Sequence, residues 1–385
     1  MLTALGLMSG TSLDGIDAAI LCTDGVEVRN TGHFLTLPYS PELQERLHAL
    51  LKSQDKELAR VLEREITLLH AGAVKKLLVQ AKMRAKDVDV IGFHGQTIAH
   101  APERGLTWQI GDGALLAELS GIDVINDFRT ADVKAGGQGA PLVPLYHAAL
   151  VRNLPKPIAM LNIGGVANVT YVGESREPGA GSGEQENPSS IIHHPSSILA
   201  FDTGSGNALI NDWVRRHTGK LYDEGGRIAA TGKVRMEILG ALMQHEYFRK
   251  AAPKSLDRNA FSLTSVEGLS LEDGAATLTA FTVSTIAAGA KLFPQSPCAW
   301  YVAGGGRHNR EMMRQLRNHL GQVEPVEKLG LNGDALEAEA FAFLAVRSLK
   351  GMELSLPTTT GRKNLLPGIS PSGGVFYQAG AARVS

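Results

Sequence analysis

The sequence predicts an α/β protein of two domains, each with a mixed β-sheet flanked by helices. Two hairpins support this prediction, because residues 4–20 and 158–172 are each a pair of β-rich segments joined by a turn that contains glycine. In each half, a later apolar strand also runs into a glycine turn, at residues 88–97 and 298–306. Strands that alternate with helices are typical of α/β folds, and the repetition indicates two similar halves.

Between these strands, apolar residues recur at the spacing of amphipathic helices. The clearest helix runs from Leu58 to about residue 85, with apolar residues three and four positions apart. Further helices are predicted at 207–218 and 309–320, each followed by a glycine that would end it, and at 334–350. These helices would cover the faces of the sheets.

The domain boundaries follow from the same pattern. We expect the first domain at residues 1–130 and the second at 131–361. Residues 173–197 are rich in Gly, Pro, Ser and Glu, and they predict a surface insertion between two strands. The tail, 362–385, carries little pattern, and we assign it to the first domain.

Composition excludes several classes of partner. The 385 residues include 38 Lys and Arg against 39 Asp and Glu, which gives a formal net charge of −1. Nucleic acids and anionic membrane surfaces are therefore poor candidates for a binding partner, because proteins that bind them normally carry an excess of Lys and Arg. No stretch approaches 18 uninterrupted apolar residues and the N-terminus lacks a basic leader, so we expect a cytoplasmic protein with a small-molecule partner.

The first hairpin turn is a candidate phosphate site. Its residues, Ser9 to Gly15, include two glycines and three hydroxyls, and exposed N–H groups in such a turn can cradle phosphate oxygens. Asp14 and Asp17 could hold a magnesium ion, with Asp14 the preferred ligand. An ordinary polar hairpin is an equally good interpretation of this motif by itself.

Asp202 is the candidate catalytic carboxylate. It follows an apolar strand, Ile198 to Phe201, and precedes a glycine turn that opens a helix. Ligands of α/β proteins bind at such strand ends. The alternative is a structural aspartate that forms an Asx turn or caps the helix. A further glycine cluster, 304–306, ends another strand and would let a nucleotide approach the main chain.

Together these glycine turns are similar to the layout of the actin, heat-shock chaperone and sugar-kinase superfamily. More narrowly, the chain resembles the anhydro-N-acetylmuramic acid kinases. The motifs that carry this resemblance run in order from residue 6 to about residue 309, within a likeness that extends to about 360: GLMSGTSLDGID (6–17), GFHGQT (92–97), QIGDGALLAE (109–118), DFRTAD (127–132), GGQGAPLVP (136–144), LNIGGVANVT (161–170), FDTGSGN (201–207), PKSLDRNAF (253–261), GAATLTAFT (274–282) and GGGRHN (304–309).

The resemblance implies a two-domain actin-like fold with ribonuclease H-like sheets. It also implies a kinase that opens the 1,6-anhydro bond of anhydro-N-acetylmuramate with water and passes the γ-phosphate of ATP to O6, with magnesium as the accompanying ion. The sugar and ATP would be its partners, and a homodimer is one compatible assembly. The residues that would bind the nucleotide are Gly10, Thr11, Ser12, Leu13, Asp14, Gly15, Ile16, Asp17, Gly164, Gly165, Gly204, Gly304, Gly305 and Gly306.

The resemblance assigns Asp202 as the base that activates water, and it places Thr97, Arg129 and Glu337 in the sugar pocket. Alternatives exist for two of these residues. Glu337 could instead complete a capping box with Asp334, and Arg129 could pair with a neighbouring aspartate. We interpret His94 as a buried, hydrogen-bonded core histidine rather than a metal ligand.

Two other functions stay open from the sequence. One is another sugar or acetate kinase of the same superfamily, which would phosphorylate a free hydroxyl without ring opening. The other is a non-catalytic ATP-binding module that grips a protein partner. The second would need no water-activating carboxylate, so Asp202 counts against it.

Overall fold

The computed structural model describes residues 1–10, 13–174, 197–257, 260–363 and 373–380. The chain divides into two compact units: Met1–Arg152 with Ala335–Ser385, and Asn153–Asp334. Each unit contains one mixed β-sheet with helices. The predicted α/β class with two sheets is confirmed.

The first unit contains a seven-stranded sheet. Its main path has the order β12-β6-β4-β1-β2-β3, and β5 pairs with β4. Strand β1 is antiparallel to β2 and parallel to β4. The strands are β1 (Leu2–Ser9), β2 (Gly15–Thr23), β3 (Val28–Pro38), β4 (Val90–Ala101), β5 (Leu106–Ile110), β6 (Val124–Asn126) and β12 (Val375–Tyr377).

The helices of the first unit include the predicted amphipathic helix, α2. Asp55 caps its start by accepting a hydrogen bond from the Leu58 N–H (2.7 Å), and the left-handed residue Lys82 ends it. The helices of this unit are α1 (Pro41–Ser53), α2 (Lys56–Ala81), α3 (Gly113–Ser120), α4 (Thr130–Lys134), α5 (Pro144–Leu150), α10 (Leu336–Leu349) and α11 (Pro357–Thr360).

The second unit repeats the strand order of the first. Its sheet has the order β11-β10-β7-β8-β9, in which β7 is antiparallel to β8 and parallel to β10. This is the ribonuclease H-like order that the resemblance implies. The elements are β7 (Ile158–Ile163), β8 (Val166–Val172), β9 (Ile198–Ser205), β10 (Ala299–Ala303), β11 (Val323–Pro325), α6 (Ala208–Thr218), α7 (Met236–Leu242), α8 (Leu271–Ala290) and α9 (Arg310–Leu320).

The observed units differ from the boundaries expected from the sequence, because α10 belongs to the first unit. Gly6 of β1 and Gly92 of β4 leave room for this helix: a Cβ at Gly6 would overlap the carbonyl oxygen of Ala338, and one at Gly92 would overlap that of Phe341. Residues 131–152 also lie in the first unit. The contacts of α10 with Gly6 and Gly92 join residues more than 200 positions apart in the chain. Local sequence patterns do not show contacts of this kind.

The C-terminal tail and residues 173–197 can also be compared with what the sequence predicts. The described part of the tail forms β12, which pairs antiparallel with β6 of the first sheet. Residues 173–197 lie between β8 and β9, as expected, although 175–196 fall outside the described residues. Within the described ranges, no helix combines the length and the apolar character needed to cross a membrane.

The close packing of α10 gives the first prediction. Gly92→Ala should lower the free energy of unfolding by about 1–3 kcal/mol or more, because the new methyl group overlaps helix backbone that cannot move alone. The matched control is Gly72→Ala in α2, where no atom lies within 4 Å of the new Cβ. That change should stabilise the protein by about 0.5–1 kcal/mol. Urea unfolding of both variants measures the difference, and equal stabilities would contradict the packing of α10 on β4.

Candidate active site

The start of the first hairpin turn is fixed by a buried network of side chains. Ser9 Oγ donates a hydrogen bond to Gln96 Oε1 (2.6 Å) and contacts the Tyr39 hydroxyl (2.8 Å). Gln96 Nε2 in turn donates to the carbonyl oxygen of Gly10 (3.2 Å). The Leu13 N–H closes the turn onto the same carbonyl (3.2 Å). The described ends of the turn, Gly10 and Leu13, are therefore tied to each other and to Gln96 of β4.

The predicted nucleotide residues of this hairpin have different surroundings. Gly15 packs against β3, where a Cβ would overlap the carbonyl oxygen of Leu37. Leu13 and Ile16 are fully buried in the core of the first unit, so only their backbone can face a ligand. Asp14 is exposed at the turn. Two more predicted residues, Thr11 and Ser12, lie outside the described residues.

The second hairpin presents glycines that packing does not require. The nearest atom to a Cβ would be 3.6 Å away at Gly164 and 3.8 Å away at Gly165. The carbonyl oxygens of these glycines accept hydrogen bonds from the N–H groups of Asn207 (2.7 Å) and Gly206 (3.0 Å), so the turn is tied to the start of α6. A fixed, open glycine turn at a helix start suits the close approach of a phosphate.

The third glycine cluster adjoins the same helix start. At Gly305, the nearest atom to a Cβ would be Asn207 Nδ2 at 3.7 Å, so this position is also open. Its neighbours are constrained instead: Gly304 has a φ of +72°, and a Cβ at Gly306 would lie 2.5 Å from Ile163 Cβ. Gly204 likewise packs on α8, with Thr285 Oγ1 2.5 Å from the position of a Cβ. Gly164, Gly165 and Gly305 thus have space for a ligand.

Asp202 lies inside strand β9 rather than after it, because the strand continues to Ser205. Its backbone N–H donates to the carbonyl oxygen of Lys254 (2.9 Å), and its carbonyl oxygen accepts from the Tyr247 hydroxyl (2.6 Å). The Leu256 N–H donates to Oδ2 of its carboxylate (2.8 Å). The segment from Lys254 to Leu256 therefore runs beside β9 and holds the carboxylate in place.

Burial raises the pKa of Asp202 to about 7, and the hydrogen bond from the Leu256 N–H only partly offsets this effect. A carboxylate with a pKa near neutrality can accept a proton and release it again at neutral pH. The alternative in which Asp202 caps helix α6 is wrong, because Asn207 is the N-cap residue of that helix.

The three predicted sugar-pocket residues lie in the first unit. Arg129 donates from Nη1 to the carbonyl oxygen of Gly139 (2.6 Å). Burial lowers the pKa of Arg129 to about 10, while the charge of Glu337 acts in the opposite direction, so the side chain stays a cation. Thr97 Oγ1 accepts a hydrogen bond from Gln109 Nε2 (3.4 Å).

Glu337 does not form the capping box that the sequence left open. Helix α10 has Ala335 as its N-cap residue, and no side chain of the described residues hydrogen-bonds at that cap. Asp334 instead forms an ion pair with Arg307 (Oδ1–Nη2 2.9 Å). Glu337 lies in the first turn of the helix.

His94 is the buried, hydrogen-bonded histidine that the sequence predicts. Its Nε2 accepts from Arg129 Nε (3.0 Å), so the proton lies on Nδ1, which donates to the carbonyl oxygen of Gly95 (2.8 Å). Burial and the Arg129 charge lower the pKa of His94 well below its usual value. The neutral imidazole therefore orients Arg129.

The acidic residues of the hairpin suit an ion that arrives with the nucleotide. Throughout the described ranges, no three His, Cys, Asp or Glu side chains group as a metal site. Asp17 Oδ1 accepts a hydrogen bond from Thr36 Oγ1 (2.6 Å), while Asp14 is exposed. Mg²⁺ bound to substrate phosphates keeps several waters and needs only one or two carboxylates. Asp14 and Asp17 fit that role.

Two mixed sheets that share the order of five strands, each with a glycine-containing hairpin between its first two strands, define an actin-like fold. The comparison with protein families assigns the chain to one particular family. The model of the anhydro-N-acetylmuramic acid kinase family matches residues 2–184 and 186–371. The chain belongs to this family, and it is a phosphotransferase.

Curated relatives named anhydro-N-acetylmuramic acid kinase match almost the whole chain. The one from Paramagnetospirillum magneticum is 52% identical over 93% of this chain and 96% of its own length. The one from Rhodospirillum rubrum is 50% identical over 98% of this chain and 94% of its own. The one from Gluconobacter oxydans is 49% identical over 94% of this chain and 97% of its own length.

The raised pKa of Asp202 gives the second prediction. The pKa of Asp202 is about 7 in the folded state, against 3.8 for an ordinary aspartate. Between pH 3.8 and about pH 7 the folded state therefore binds more protons at this residue than the unfolded state does. Ionisation of Asp202 consequently lowers the free energy of unfolding as the pH rises through this range. Asp202→Asn removes the buried charge. At pH 8 the variant should be more stable than wild type, by an amount on the order of 1 kcal/mol or more.

Thermal unfolding at pH 5 and pH 8 measures this effect, and the difference between variant and wild type should be larger at pH 8. A variant that is equally destabilised at both values would show that Asp202 has a structural role without a raised pKa.

Proposed function

We propose that this protein opens the 1,6-anhydro bond of anhydro-N-acetylmuramic acid with water and phosphorylates O6 from ATP. The product would be N-acetylmuramate 6-phosphate, as recycling of cell-wall sugars requires. The family match across the chain supports the overall reaction. The single observation that supports the water-dependent step is Asp202, a half-buried carboxylate whose pKa is raised to about 7.

Asp202 would act as a general base on the attacking water. The water oxygen bonds to the anomeric carbon as its proton passes to Asp202, and the bond between that carbon and O6 breaks. O6 then attacks the γ-phosphorus of ATP, and the bond to the β-phosphate oxygen breaks to release ADP. General-base catalysis of this kind contributes about 100- to 10,000-fold in rate.

The sugar would be bound by Thr97, Arg129 and Glu337. Arg129 supplies a cation oriented by His94 and the Gly139 carbonyl, and a guanidinium suits the carboxylate that a muramic acid carries. Glu337 is placed where its charge acts on Arg129. It would accept hydrogen bonds from sugar hydroxyls.

ATP would be bound through the glycine turns, with the Gly10–Asp17 hairpin at its phosphates. Gly164, Gly165, Gly304, Gly305 and Gly306 would add main-chain contacts, and Gly204 would let β9 pack closely on α8 at the edge of the nucleotide site. Magnesium, entering with ATP and held by Asp14, would neutralise charge on the transferring phosphoryl group. Because the reaction consumes ATP, we propose that the protein acts in the cytoplasm. A homodimer stays a prediction.

The two alternatives from the sequence are not favoured. Another sugar or acetate kinase would need no base beside an anomeric carbon, and the family match is to a different kinase. A non-catalytic ATP-binding module would give no reason to bury a carboxylate at a cost to stability.

The third prediction tests the reaction itself. The protein is incubated with ATP, magnesium and the anhydro sugar in ¹⁸O-labelled water, and the product is analysed by mass spectrometry. We expect a product that has gained phosphate plus one labelled water. Asp202→Asn should bind both substrates yet turn over about 100- to 10,000-fold more slowly. A product that has gained phosphate alone, or wild-type turnover by the variant, would overturn the proposal.

The fourth prediction tests the open glycine turn. Gly165→Ala should leave the unfolding temperature unchanged, because no atom lies within 3.8 Å of the new Cβ, yet it should weaken ATP binding about tenfold by blocking the main chain. Gly240→Ala in α7, where no atom lies within 4 Å, is the matched control. Isothermal titration with ATP compares the two. Equal nucleotide affinity in both variants would place the phosphates away from this turn.

A further inference from the structure

An asparagine that no sequence pattern singled out lies directly opposite Asp202. Asn168 of β8 pairs with Asp202 of β9 on one side and with Asn162 of β7 on the other. Side chains of directly opposite residues project from the same face of a sheet, with Cβ atoms about 4.5–5.5 Å apart. These three residues form a polar row across three strands. Each is only partly buried, whereas most of the neighbouring strand positions are fully buried.

A β-bulge sets this pairing. Ala167 pairs with Gly204 and the next residue, Asn168, pairs with Asp202, so Thr203 is an additional residue on β9. The Thr203 hydroxyl donates to the Ala167 carbonyl oxygen (3.2 Å) and fixes the bulge. Without the bulge Asn168 would face Thr203. Bulges commonly redirect a side chain next to an active site.

The side-chain oxygen of Asn168 has no hydrogen-bond partner among the described residues. This atom, Oδ1, is buried. A buried polar atom without a partner costs about 1–3 kcal/mol, and such atoms in native proteins call for an explanation. Asp202, by contrast, is anchored through Oδ2 by the Leu256 N–H. The terminal torsion of an asparagine is broad, so the amide can turn in place and present its oxygen beside Asp202.

We propose that Asn168 is a second catalytic residue, which orients the attacking water by accepting one of its hydrogen bonds. The inference rests on the proposed function, because it concerns the water that Asp202 activates. That water has two protons. One passes to Asp202 as the oxygen bonds to the anomeric carbon, and the other is held by Asn168 Oδ1, which directs the lone pair toward the carbon. Asn168 neither gains nor loses a proton.

The experiment compares three variants in the labelled-water assay. Asn168→Ala should lower kcat by about 10- to 100-fold with less than about a threefold change in KM for the sugar, because a misplaced nucleophile slows chemistry more than binding. Asn168→Asp keeps an acceptor oxygen and adds a charge opposite Asp202. It should therefore shift the acid limb of the pH profile upward and recover most of the lost kcat above that limb.

Thr170→Val is the matched control, since Thr170 lies on the same strand and face but pairs with Ala200. It should keep the kcat and the pH profile of wild type. The inference is overturned if Asn168→Ala keeps kcat within about threefold of wild type, if Asn168→Asp recovers no activity at any pH, or if Thr170→Val reproduces the loss. Failure of wild type to form the hydrated, phosphorylated product would instead overturn the proposed function.

Discussion

The Asp202 carboxylate is held half-buried in strand β9, and the proposed chemistry depends on that burial. The segment from Lys254 to Leu256 pairs with the backbone of Asp202 on its outer side, and Tyr247 binds its carbonyl oxygen. These contacts keep the side chain from moving to solvent, where its pKa would return to an ordinary value. The fold thus accepts an unfavourable charge at the position where we propose a general base.

The glycines of the hairpin and strand-end turns perform two different tasks. Gly15, Gly204 and Gly306 allow close packing of backbone or side chains, and an added methyl group at any of them would collide with the protein. Gly164 and Gly305 have open space instead. Such open space allows a ligand to approach the main chain closely. A glycine-rich motif in the sequence does not separate these tasks, because both appear as the same residue at a strand end.

Local signals predicted the parts of the structure that local interactions determine. The hairpin around Gly164, the helix that ends at Gly219 and the buried state of His94 all follow from neighbouring residues. The place of α10 did not, since its contacts are with Gly6 and Gly92, far away in the chain. Asn168 was missed for a related reason. Its pairing with Asp202 depends on a bulge, and a one-residue change of register would have turned it to another partner.

The most direct test of the account is a measurement of the Asp202 ionisation. In protein labelled with ¹³C at the aspartate Cγ atoms, NMR titration follows each carboxyl group. One aspartate signal should have its midpoint near pH 7 in wild type, and that signal should be absent in Asp202→Asn. If every aspartate in wild type titrates below about pH 5, as unperturbed carboxyl groups do, or if the signal near pH 7 persists in the variant, Asp202 is not the buried base of this site.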